Sequence, residues 1–136
     1  MSAASDFLEN ELLDHVLRGS GGAYTAPTTL YLALFTSDGG LENNTSGSQT
    51  EITTSGSAYT RQSIAFANAS SGSSANSGTV TFSAATANWG TVSHVAIMDA
   101  SSGGNVLFHG AVTTSKTIET GDTFQVSASN LTISLA

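Results

Sequence analysis

The chain has 136 residues, of which 22 are Ser and 19 are Thr; only 10% are charged, and the formal net charge is -7. Three Lys and Arg against ten acids exclude a protein that works by neutralising a phosphate backbone or an anionic membrane surface. Cysteine is absent, which removes a disulfide scaffold, a thiolate zinc site and a cysteine nucleophile. No run approaches the roughly 20 apolar residues of a membrane span, and the N-terminus lacks the basic region and apolar core of a secretory signal. The length fits one domain, taken here as 1–136.

Residues 6–18 carry the pattern of a helix. Asp6 with Glu9 three residues on fits an N-cap acid and its partner. Leu8, Leu12 and Val16 recur at spacing four, with Leu13 and Leu17 beside them, and Gly19 supplies a left-handed stop. A helix of this length is marginal alone and must dock on something. Pro27 precedes T-T-L-Y-L-A-L-F-T (28–36), where Leu30, Leu32 and Leu34 alternate with Tyr31, Ala33 and Phe35. Both faces are apolar, so this is a central strand covered on both sides, with the helix and an opposing sheet as the expected covers.

Residues 38–57 form a long polar loop in which only Leu41 and Ile52 are apolar, and 68–78 is a second low-complexity stretch. Loops of such length are usually functional or disordered, so shortening 38–57 is expected to leave folding intact. Short strands are expected at 59–67 (Ile64 and Phe66 on one face), 79–83 (Val80, Phe82) and 92–99 (Val95, Ile97). After a glycine-rich hairpin turn at 99–104 come 105–112, 117–119, 123–128 and 131–135. Seven to eight short strands after one helix specify an antiparallel β-sandwich over about 28–135.

The search for chemistry returns no catalytic residue, no cofactor and no metal. His94 and His109 lie on the strands flanking the 99–104 turn, roughly opposite one another, and a metal there needs a third ligand such as Asp99 or Asp122. No H-x-H or H-E-x-x-H spacing supports that reading. The oxygen-rich run Asp38-Gly-Gly-Leu-Glu42-Asn43-Asn44 lacks the alternating acids of a calcium loop. A Ser-His-Asp set can be written from any chain with 22 serines and means nothing without geometry. Trp89 reads as a core or interface anchor.

Six segments carry a family resemblance: FLENELLDHVLRGS (7–20), YTAPTTLYLALFTS (24–37), YTRQSIAF (59–66), WGTVSHVAIMDA (89–100), LFHGAVTTSKTI (107–118) and GDTFQVSASNLTISL (121–135). Together they resemble small structural proteins of tailed bacteriophages, known as tail-fibre-like or capsid cement proteins. The resemblance covers the chain apart from the two polar loops. It implies a non-enzymatic virion component made in the host cytoplasm. Its leading form is a cement or decoration protein that binds the major capsid protein on the outer shell. The alternative is a tail or tail-fibre component whose loops touch the host surface. Both imply self-association into a symmetric oligomer, a dimer or trimer, with no nucleic-acid or membrane partner. Leu8, Leu12, Val16 and Trp89 are the candidate interaction residues.

Overall fold

The computed structural model describes residues 2–135. Strand β2 (Leu30–Phe35) lies at the centre: alternation sends Leu32 and Leu34 to one side, Ala33 and Phe35 to the other, and all four are fully buried. It pairs antiparallel with β3 (Gln62–Ile64) on one side and β6 (Gly90–Met98) on the other. Beyond β6 lie β7 (Val106–Ile118) and the two-residue β1 (Ala3–Ala4), so the main sheet runs β1-β7-β6-β2-β3. Two short ladders complete the fold: β4 (Ser73–Ala75) with β9 (Thr132–Ser134), and β5 (Val80–Thr81) with β8 (Gln125–Val126). The protein is mainly β and antiparallel, with one N-terminal helix, α1 (Asp6–Leu17).

The larger core joins Leu32, Leu34, Val92 and Ile97 of the main sheet to Val80, Phe82 and Phe124 of the opposing layer. Aromatic rings fill its centre: Tyr59 stacks on Phe82 at 6.0 Å, while Trp89 meets Tyr59 edge-on at 5.5 Å. The indole N–H of Trp89 donates to the Ser57 carbonyl at 2.9 Å. On the other sheet face, Ala33, Phe35, Ala96, Met98 and Val106 are covered by Leu41. A third, smaller cluster of Ala4, Leu8 and Leu107 holds the helix.

Two irregularities shape β7. Ile97 pairs with Phe108 but Met98 with Val106, so Leu107 is an extra residue, and it packs on Leu8. Further on, Val92 pairs with Lys116 and His94 with Ala111, leaving residues 112–115 opposite Ser93 alone. The β6–β7 turn is clamped by Asp99, whose carboxylate accepts from the Asn105 backbone N–H at 2.7 Å and its side-chain amide at 2.9 Å. Gly104 there has φ +72°, and a Cβ would stand 2.4 Å from Asp99 Oδ1.

Several expectations are revised. The N-cap is Ser5 rather than Asp6: its hydroxyl accepts from Leu8 N–H at 3.3 Å and also bonds the Val106 carbonyl. That second bond ties the cap to β7, which Asp6, one residue later, does not do. The helix stops at Leu17, with Gly19 left-handed at φ +58°. The second face of β2 is covered by the 38–57 loop, not by α1. Leu41 is fully buried, Asn44 accepts from Val106 N–H at 2.8 Å, and Glu51 bridges to Phe35. The loop is therefore part of the core's lid. The strands expected at 105–112 and 117–119 are one strand, β7, because the bulge at 112–115 interrupts pairing with β6 without ending it, and the pairing resumes at Lys116. The 68–78 stretch contains β4, and β1 was not expected at all.

Candidate functional site

A polar network and two surfaces stand out. In the network, alternation places Tyr59 and Arg61 on the same side of the chain, both reaching Glu51. Arg61 Nε and Nη2 donate to the two Glu51 oxygens, each at 2.8 Å, and Nη1 donates to the carbonyls of Ala100 and Gly103, also at 2.8 Å. The Tyr59 hydroxyl donates to Glu51 at 2.7 Å and accepts from Leu34 N–H at 3.1 Å. Burial, and then the Glu51 charge, push the Tyr59 phenol far above its ordinary value. Burial works to lower the Arg61 guanidinium, but the Glu51 hydrogen bond and charge outweigh it and hold it above its usual range. All donors and acceptors here face one another, so the network secures the loop and the hairpin turn.

The first surface is the distal half of α1. Leu13, Val16 and Leu17 are 57%, 73% and 75% exposed. Helical geometry turns Leu13 and Leu17 away from the face on which Leu8 and Leu12 pack. The chain then doubles back over the opposite flank: Gly22 lies so close that a Cβ would stand 2.2 Å from the Asp14 carbonyl oxygen, and Tyr24 N–H donates to His15 Nδ1 at 3.0 Å.

The second surface is a cleft of about 610 Å3 between the main sheet and the C-terminal ladders. Its apolar walls include Val95, Phe108, Val112, Phe124, Leu131 and Ile133, and Lys116, Gln125 and Asn130 line it among the polar groups. The excursion at 112–115 carries β7 out of register with β6 along this same side.

The candidate residues do not converge. Leu8 is buried against Ala4 and Leu107, Leu12 packs at the edge of that cluster, and Trp89 is 5% exposed in the main core. Leu8 and Trp89 therefore present no surface; of the four, Val16 alone is exposed. His94 and His109 share a sheet face but are offset by two residues, since His94 pairs with Ala111 and His109 with Ala96. His94 Nδ1 is bonded to Ser93 Oγ at 2.8 Å, and His109 Nε2 to Glu42 at 2.7 Å. Asp99 and Asp122 are engaged in their own turns, the latter accepting from Glu119 N–H at 2.9 Å. Among the described residues, the three acids whose oxygens approach within 4.8 Å are Asp6, Glu9 and Glu42, all exposed. Sequence reasoning missed the Glu51–Arg61 pair, although the alternation in Tyr59-Thr60-Arg61 was a usable signal. It also missed the cleft, which depends on a bulge.

A family model described as podophage GP4 fiber I protein gp80 matches residues 3–134, nearly the whole chain. None of the curated proteins matches. On that coverage the chain belongs to the podophage fiber I protein gp80 family and is a bacteriophage structural protein.

Proposed function

We propose that this protein is a fibre subunit on the tail side of a podophage virion, rather than a cement protein of the capsid shell. The observation that carries this is the match to a fibre protein family over residues 3–134. The physical character of the chain agrees with such a part. Few charges and many main-chain and hydroxyl hydrogen bonds make its stability depend little on salt. The role is structural, not enzymatic: the two strand histidines and the acids near them are engaged in separate hydrogen bonds. Its partners are other virion proteins and copies of itself, in keeping with an acidic surface unsuited to nucleic acid or anionic lipid.

Quantitative mass spectrometry of purified virions tests the reading. A few copies per particle, set against the major capsid protein, is the expected result. A ratio near one per shell subunit, or per few, overturns the fibre reading in favour of the cement role.

A further inference from the structure

The two surfaces described above are complementary. One is a projecting helix end whose apolar side chains have no partner; the other is an open apolar cleft between the layers of the same fold. Charge complementarity says what occupies the cleft. Among the described residues, Arg18 pairs with Asp14 and Arg61 with Glu51, so Lys116 is the one Lys or Arg without an acid within 4.0 Å. Lys116 lines the cleft, in a chain of net charge -7. On that helix the exposed Glu9 and Asp14 flank the apolar side chains, Asp14 being the partner of Arg18.

We infer that two copies of this protein join by seating Leu13, Val16 and Leu17 of one copy in the β7–β9 cleft of the next, with Lys116 facing the acids of the incoming helix. The cleft volume lies in the range of built binding sites and exceeds that of the three side chains offered. The half-buried Phe108 and Ile133 of its walls gain cover, as do the exposed leucines. Because the contact uses two different patches, it propagates from copy to copy and closes reciprocally in a dimer or as a ring. It holds whether the protein sits on tail or shell; virion copy number decides that question, so either reading can fail alone.

Complementation between variants tests it by sedimentation equilibrium on the full chain. Leu17→Asp alters an exposed helix residue, and Val112→Trp places an indole at the cleft from a half-buried position on its wall, with Lys116→Glu as a second cleft variant. Thermal melting checks that each stays folded. The wild type self-associates, and Leu17→Asp and Val112→Trp each weaken association by at least about tenfold. An equimolar mixture of the two forms a dimer, because one intact helix and one intact cleft remain. A wild type that sediments as a monomer overturns the inference. So does assembly that survives both cleft variants, or a mixture that stays monomeric.

Discussion

Glu51 and Arg61 face one another across the edge of the main sheet in a two-pronged ion pair, both N–H···O distances being 2.8 Å, with the Arg61 side chain only 5% exposed. The same guanidinium holds the carbonyls of Ala100 and Gly103, so one side chain joins the long loop to the β6–β7 turn. Arg61→Ala leaves Glu51 with the Tyr59 hydroxyl but no counter-charge, and two carbonyls without their side-chain donor, and is expected to cost about 3 kcal/mol in urea unfolding. Arg61→Lys recovers little, since an ammonium does not reproduce the planar fork. A loss below about 1 kcal/mol in the alanine variant would show the pair to be dispensable.

Leu41 tests the revised role of the 38–57 loop. It is fully buried against Phe35, Met98 and Val106. Leu41→Ala is expected to destabilise by about 3 kcal/mol, the usual penalty for a leucine cavity. Thr54→Ala, at an exposed position of the same loop, stays within about 0.5 kcal/mol. Equal melting temperatures for the two variants would return the loop to a surface role.

Asn76 is the buried staple of the smaller ladders. Its side-chain amide donates to the carbonyls of Gly78 at 2.8 Å and Ser127 at 3.0 Å, and its Oδ1 accepts from Leu131 N–H at 2.9 Å. Asn76→Leu is close in volume yet leaves the Gly78 carbonyl and the Leu131 N–H without partners and the Ser127 carbonyl with the Asn130 N–H alone, for an expected loss of about 3 kcal/mol. Hydrogen exchange then shows faster opening of β4 and β9 than of β2 and β6; uniform protection would contradict the local role.

Ser5 and Asp6 separate the two readings of the helix cap. Ser5→Ala removes the Leu8 cap bond and the Val106 bond together and is expected to cost about 2 kcal/mol. Asp6→Ala removes only a charge near the helix N-terminus, worth about 0.5 kcal/mol. The reverse order would reinstate Asp6 as the cap.

Alkaline pH has a signed effect through Tyr59. Its folded-state pKa is raised, chiefly by burial and then by Glu51, so the native protein keeps a proton that the unfolded chain releases. The stabilisation is complete below about pH 10 and declines above it, by up to about 1.4 kcal/mol per pH unit for this one group. Tyr59→Phe is less stable at neutral pH but shows a flatter decline between pH 10 and 11. An unchanged slope would exclude Tyr59 as its source.

What is local was legible in the sequence. The helix, its glycine stop, the doubly buried strand at 30–35 and the turn before Asn105 follow from periodicity and turn chemistry, which act over a few residues. The mainly β, antiparallel character follows from the count and spacing of strands. The tertiary structure decided which residues those elements keep for themselves. Leu8 and Leu12 continue one stripe with Val16, yet the helix runs past the body of the fold, so Leu8 is buried and Val16 is 73% exposed. Leu41 and Asn76 sit in stretches that read as polar linkers, because neither periodicity nor composition records a single side chain inserted from a loop. Glu51 and Arg61 meet, and the cleft opens beside β7, through contacts between segments distant along the chain and through a four-residue bulge. Such contacts depend on the full packing of two layers, and that is a property of the folded chain rather than of any window within it.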